Sequence, residues 1–283
     1  MLFEHVYVLN SEMGGHAMKL SERRIVIRGG GDIATGVAWR LHKAGFPVFV
    51  LEVARPLAVR RKVCFCEAVW DGTAEVEGVR ARRAESPEEA GSVHAGGEVP
   101  VLVDPDLEGL PALKADVIVD ATLAKRNLGV TMDLAPLVIG LGPGFTAGVD
   151  VHKVVETKRG HNLGRLISKG TAVPNTGVPG NIGGYTTERV LRAPADGVFH
   201  TSVELGALVV SGQVVAEVEG QAVRAKIEGM VRGLIRPGIT VSRGMKVGDV
   251  DPRGKDAFLD TISDKALAVA GGVLEAVLHM YNR

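Results

Sequence analysis

Arg24-Ile-Val-Ile-Arg28-Gly29-Gly30-Gly31-Asp32-Ile33-Ala34-Thr35-Gly36 is the stretch on which the reading of the fold turns. The apolar run predicts a short buried strand. Three glycines follow, and then Ala34, Val37, Ala38 and Leu41 recur at the spacing of one helical face, predicting a helix over Asp32–Ala44. Gly45 stops that helix, and Pro47-Val-Phe-Val-Leu-Glu52 predicts a second strand. A strand, a glycine turn, a helix and a strand in this order make a phosphate-binding unit. The glycines let backbone approach an anion, and the helix start offers unpaired N–H groups to it. Gly29-x-Gly31-x-x-Ala34 fits the looser form of the dinucleotide pattern, and Glu52 stands where an acid accepts ribose hydroxyls. A glycine turn kept for structure alone, with no ligand, is the plainer alternative.

The alternation continues. Arg60–Trp70 and Val76–Arg82 read as extended, and Ser86-Pro-Glu-Glu89 has the chemistry of a helix start. Val99–Val103, Asp116–Asp120 and Leu137–Leu141 read as buried strands. The expected fold is therefore α/β, with a Rossmann-like, mostly parallel sheet over residues 21–188 behind an N-terminal extension, 1–20. Met18 offers an alternative start within that extension. Gly140–Gly184 is dense in glycine but interspersed with apolar residues, which predicts an ordered, loop-rich surface.

Val190–Val250 contains an internal repeat. At a shift of 32, Gly197 falls on Gly229, Gly206 on Gly238, Gly212 on Gly244 and Val218 on Val250. Each half predicts short strands broken at glycines, and such halves bury their apolar faces only by interlocking. This sets apart a small all-β domain at 189–252, followed by a C-terminal helix within 253–283, capped by Ser263. Gly271-Gly272 inside that helix predicts close approach to another backbone, within the chain or across a homodimer.

Composition narrows the function classes. Lys plus Arg and Asp plus Glu balance at 33 each, which argues against a general nucleic-acid binder. No segment has the length and apolarity of a membrane-spanning helix, and the opening residues lack signal-peptide features. With two cysteines only, Cys64 and Cys66, a reduced cytoplasmic setting is expected. Further candidates follow predicted strands. In Asp120-Ala-Thr-Leu-Ala-Lys-Arg-Asn127, Lys125 and Arg126 suit a phosphate and Asn127 a polar group. Gly140–Gly148, with Gly142, Gly144 and Phe145, is a second glycine turn, and Pro174–Glu188 a third. Asp150, His152, Glu156 and His161 form a polar group without a metal-site signature, so no metal is assigned. Cys64-x-Cys66 reads as core, with a thiol relay or soft-metal role as the alternative.

GGGDIATGVAWRLHKAGFPV (29–48), RRKVCFCEAVWDG (60–72), GLGPGFTAGVDVHKVVETKRGHNLGR (140–165) and PNTGVPG (174–180) together resemble the YqeB family over almost the whole of Arg24–Leu278. The resemblance implies an accessory protein, rather than a stand-alone enzyme, for selenium-dependent molybdenum hydroxylases of the xanthine-dehydrogenase kind. It implies a Rossmann part similar to that of XdhC proteins. The cofactor expected on that basis is the molybdenum cofactor (molybdopterin or its cytosine dinucleotide), with NAD(P) as the alternative. The expected partners are a molybdenum hydroxylase apoenzyme or other maturation factors, together with a nucleotide or pterin ligand. No catalytic residue is assigned. The expected binding residues are Gly29, Gly30, Gly31, Asp32, Ile33, Glu52, Arg60, Arg61, Lys125, Asn127, Gly142, Gly144 and Phe145. An NAD(P)-dependent oxidoreductase and a non-catalytic scaffold are the alternative functions. The repeat resembles the barrel-sandwich hybrid of biotinyl and lipoyl domains, but Val218–Ala225 between its halves carries no lysine, so a swinging-arm carrier is not expected.

Overall fold

The computed structural model describes residues 18–282, and the expected extension before Met18 lies outside them. β1 (Ile25–Arg28) leads through the glycine turn into α1 (Asp32–Lys43), and β2 (Val48–Glu52) follows. Two 3-10 turns (Arg61–Val63 and Phe65–Glu67) and a short α2 (Ala68–Asp71) precede the hairpin of β3 (Thr73–Val76) and β4 (Val79–Ala84). Next come α3 (Pro87–Ala95), β5 (Val99–Val103), α4 (Leu110–Leu113), β6 (Val117–Asp120), β7 (Leu137–Leu141), β8 (Thr146–Ala147), β9 (Lys153–Val155), β10 (Leu166–Ile167) and β11 (Gly170–Thr171). The second part holds β12 (Val190–Arg192), β13 (Gly197–His200), β14 (Leu208–Val209), β15 (Val214–Val218), β16 (Gln221–Arg224), β17 (Gly229–Leu234), β18 (Thr240–Val241) and β19 (Lys246–Asp251). The long α5 (Asp264–Tyr281) follows.

The first part is a nine-stranded mixed sheet in the order β10-β9-β7-β6-β1-β2-β5-β4-β3. The strands from β9 to β4 run parallel, and β10 and β3 close the two edges antiparallel. The central strands are apolar at every position because both faces are covered. Ile25, Ile27, Val48 and Val50 point to the side of α1 and α5. Val26, Phe49 and Leu51 point to the side of α3 and α4.

This corrects the expected fold class. A doubly wound Rossmann-like sheet has a helix in each crossover, and here the crossovers from β6 to β7 and from β7 to β9 contain no α-helix. The face they leave open is covered by α5, which enters from the far end of the chain and packs against β7, β9, β10 and α1. The second part is likewise not the expected biotinyl/lipoyl-like barrel-sandwich module. It is a pair of four-stranded antiparallel sheets, β12-β19-β17-β14 and β16-β15-β13-β18. The repeat is real within it: β12 to β15 return as β16 to β19 at the shift of 32, and the halves exchange strands, β14 pairing with β17 and β13 with β18. It does not stand free, because it is bonded to the first part. Leu234 donates its N–H to the Val59 carbonyl (2.8 Å), and Arg61 donates to the Leu234 carbonyl (2.8 Å). Arg236 pairs with Glu67 (2.6 Å) and with Asp71, and lies over the Trp70 ring.

Arg60–Trp70 is also corrected, from extended chain to consecutive tight turns. Val63, Phe65, Ala68 and Val69 are all buried in the α1 side of the core, a distribution that a two-residue strand period cannot produce. Phe65 N–H donates to Thr35 Oγ1 (2.8 Å) and Cys66 N–H to the Gly30 carbonyl (3.0 Å), fixing the turns to the start of α1.

α1 and α5 lie side by side and run parallel: Gly36 sits against Ala266, and one turn on, Arg40 reaches Gly271. A Cβ at Gly36 would come within 2.7 Å of that of Ala266. A Cβ at Gly272 would collide with the Gly164 carbonyl oxygen and come within 2.8 Å of Val155 Cγ1, whereas one at Gly271 would meet only Arg40 Nη1 at 4.0 Å. The two neighbouring glycines therefore separate in a denaturant titration. Gly272→Ala is expected to lose about 1–3 kcal/mol through overpacking. Gly271→Ala is expected to gain up to about 1 kcal/mol of helix propensity.

Candidate functional site

The carboxyl ends of β1, β2, β6 and β9, the start of α5 and the near faces of β12, β17 and β19 enclose a cleft of about 970 Å³. Strand carboxyl ends in a parallel sheet are where helix N-termini and loops converge, so a crevice there is the ordinary place for a ligand. The cleft is cationic. Arg60, Lys125, Lys158, Arg159, Arg189, Arg192, Arg232, Lys246 and Lys265 line it, against Asp32, Glu52 and Asp249.

Each glycine of the turn has its own task. Gly29 has φ +99° and lies against Ala121, where a Cβ would be 3.2 Å from backbone carbon and oxygen. A Cβ at Gly30 would be 2.9 Å from the Cys66 backbone nitrogen. Gly31, the cap of α1, has nothing within 4 Å of a Cβ and opens on the cleft. The space beside it is ligand-sized, and the first N–H groups of α1 face it. Because α5 runs parallel to α1, its N-terminus, with Ser263 and Lys265, opens on the same space.

Glu52 serves the turn. Its Oε2 accepts the Gly30 N–H (2.7 Å) and its Oε1 the Val53 N–H (2.8 Å). Burial raises its pKa, and these two bonds oppose the rise. Lys265 is pushed down by burial, with the Asp32 carboxylate opposing. Lys125 sits in a strained loop: it and Leu123 have φ of +63° and +53°, left-handed values that side chains other than glycine adopt at a cost.

The expected binding residues thus divide. Gly29, Gly31, Asp32, Ile33, Glu52, Arg60 and Lys125 meet at the cleft. Gly30 packs on Cys66 instead, and Arg61 holds Leu234. Asn127 closes its own loop through the N–H and carbonyl of Val130 (2.8 and 2.7 Å). Gly142 makes room for Thr157, Gly144 for the Arg126 backbone, and Phe145 lies buried beneath Gly140. Asp150, His152 and Glu156 each accept local backbone N–H groups, and His161 meets Arg165, so they do not converge. Among the described residues, no group of three or more His, Cys, Asp or Glu side chains is placed to hold a metal ion. Cys64 and Cys66 are buried in the wall behind the turn. Burial, and then its neighbour Cys66, push the Cys64 thiol up, which keeps it protonated.

The residues missed from sequence are Arg189, Arg192, Arg232, Lys246 and Lys265, which reach the cleft from distant segments. One signal was available. In Lys246-Val-Gly-Asp-Val-Asp251 and Gly229-Met-Val-Arg-Gly-Leu234, charged residues stand inside apolar strands, and such buried charges need partners.

No protein-family model matches the chain. By sequence it is 50% identical over 287 residues to the uncharacterized protein YqeB of Escherichia coli (strain K12), a match covering 100% of this chain and 53% of that protein. The chain spans about half the length of this curated relative, and the match supports the resemblance to the YqeB family. The solved structures that align with it include an aspartoacylase family protein of Mesorhizobium loti (TM-score 0.26, 11% identity, 81% of this chain and 85% of that one). A succinylglutamate desuccinylase/aspartoacylase of Rhodobacter sphaeroides also aligns (TM-score 0.25, 15% identity, 81% and 85%). So does the ectoine utilization protein EutE of Ruegeria pomeroyi (TM-score 0.24, 14% identity, 81% and 86%). The relative matched by sequence is itself uncharacterized, so the match gives no support to the maturation role expected from the resemblance, to its molybdenum and selenium chemistry, or to the oxidoreductase and scaffold alternatives. The Cys64 thiol is buried, and both Glu52 oxygens already accept backbone N–H groups. Among the described residues no helix is long and apolar enough to cross a membrane.

Two outcomes test this geometry. Gly31→Ala is expected to keep its thermal stability within about 0.5 kcal/mol, as at an uncrowded surface position, while Gly30→Ala, forced against the Cys66 backbone, loses about 1–3 kcal/mol. Asp264, beside Lys265, is held down at about 2 by hydrogen bonds from Arg159 (2.5 and 2.8 Å). A depressed carboxylate contributes stability above its unfolded pKa and loses it as pH falls through the folded one, here from about 4 towards 2. Both side chains are well solvated, so the contribution stays below about 1 kcal/mol. Asp264→Asn should flatten that part of the acid-unfolding curve.

Proposed function

We propose that the cleft binds a phosphate-bearing small molecule of nucleotide size, with its phosphate at the converging N-termini of α1 and α5. The observation that carries this is the excess of cationic over acidic side chains, nine against three, lining a half-enclosed cleft in an otherwise charge-balanced chain. Placing unneutralised cations where water is partly excluded is costly, and a ligand anion removes that cost. Burial already lowers Lys265, and burial together with the neighbouring Arg60 charge brings Arg232 to about 10. The open space beside Gly31, the two helix starts and Lys265 supply N–H groups, dipole and charge at one point. The volume suits a nucleotide and exceeds what an inorganic ion needs.

Calorimetric titration with ADP tests the reading. The expected result is one ADP per chain, with affinity falling as salt rises and falling roughly tenfold or more in Lys265→Gln through loss of a charge-assisted contact. Absence of heat and of any thermal stabilisation with both ADP and inorganic pyrophosphate would overturn it.

A further inference from the structure

β19 is an inner strand of its sheet, between β12 and β17, and Asp249 and Asp251 point to one face of it. Both acids are buried, and arginines surround them. Arg189, 8% exposed, spends one nitrogen, Nη1, on both Asp249 oxygens (2.6 and 2.7 Å). Its Nε is buried on the cleft wall with no partner. Asp251 is held by Arg253 through two nitrogens (2.9 and 2.6 Å), so Arg232 reaches it only at 3.6 Å and donates its own Nε to the Phe258 carbonyl (2.8 Å). Arg60 has carbonyl partners alone: its Nη2 donates to Thr261 O (3.1 Å) and Phe258 O (3.4 Å). It forms no ion pair among the described residues, and its Nε too is buried without a partner.

We infer that Arg60, Arg189 and Arg232 form a second anion subsite in this cleft, separate from the helix-end site, and that it takes a second phosphoryl group of the ligand; this rests on the cleft being the anion site proposed above.

Arg189, Arg232, Arg253 and Lys246 are set against two buried carboxylates, with the unpaired Arg60 charge beside Arg232, so the cluster holds excess positive charge. Here two Nε–H groups are left over, on side chains that line the cleft. Guanidinium groups at fixed angles match the oxygens of a phosphoryl group, and each contact is charge-assisted. Arg232, brought to about 10 by burial and then by the Arg60 charge, gains from a shared anion between the two. A ligand filling both subsites carries acidic groups at two separated points, as a bisphosphorylated nucleotide does and a nucleoside monophosphate does not.

Inorganic pyrophosphate, small enough to occupy each subsite on its own, is the probe. Titration of the whole chain followed by calorimetry and phosphorus NMR is expected to give two pyrophosphates per chain. Arg60→Gln, which strands no carboxylate, should weaken one of them roughly tenfold or more and leave the other. Lys265→Gln should do the reverse. Arg189→Gln would leave Asp249 buried alone and invites unfolding, so Arg189→Lys is the companion variant. It keeps a cation for Asp249, removes the free Nε–H, and should weaken the same pyrophosphate as Arg60→Gln, with folding checked by its melting curve. A single pyrophosphate per chain, weakened alike by Arg60→Gln and Lys265→Gln, overturns the second subsite while leaving the proposed function intact. No binding at all overturns both.

Discussion

The contact between Gly36 and Ala266 is the constraint on which the rest of the arrangement depends. Two helices from opposite ends of the chain approach closely enough to run parallel only because one of them presents no side chain at that point. The approach has two results. α5 covers the sheet face that helix-free crossovers leave bare, so the apolar faces of β7 and β9 are closed off from water. The same approach aims the positive ends of both helices at one spot above the strand ends. Core completion and anion attraction are therefore one feature of the packing, and neither helix could be shifted along the other without loss of both.

The second half of the chain is attached to this frame by Arg61, Arg236 and the Val59–Leu234 hydrogen bond. That attachment turns β12, β17 and β19 into a wall of the cleft. The tight turns at Arg61–Glu67 act at both interfaces: one side backs the glycine turn through Phe65 and Cys66, and the other receives Arg236 through Glu67. The position of the wall relative to the glycine turn is thus set by a short segment buried on nearly every side.

Local signals in the sequence were reliable where local physics decides. The glycine turn, the helix after it, the Ser86 and Ser263 caps and the 32-residue repeat all appear where residue chemistry placed them. Gly272 does meet another backbone, that of Gly164. What was not legible depends on contacts between distant segments. Arg60–Trp70 looks like a strand because its apolar residues are clustered, and only the surrounding core shows that consecutive tight turns bring them to one side. Helix-free crossovers leave no mark in a pattern of strands. Most cations of the cleft come from separate segments between Arg159 and Lys265, and no spacing links them. Asn127, Gly142 and Gly144, residues with the composition of a binding loop, make contacts that let loops pack.

The repeat relates the two antiparallel sheets by near-twofold symmetry, and the equivalents of its charged face can be read off directly. Arg232 corresponds to His200, Asp249 to Glu217, Asp251 to Glu219 and Arg189 to Gln221. Those four counterparts are all exposed to water, while the first four are buried. A duplicated scaffold has thus been put to use on one side only. The turned-in copy carries paired charges that the solvent-facing copy has no need of, so the asymmetry of the two halves records which face of the doubled unit came to rest against the rest of the molecule.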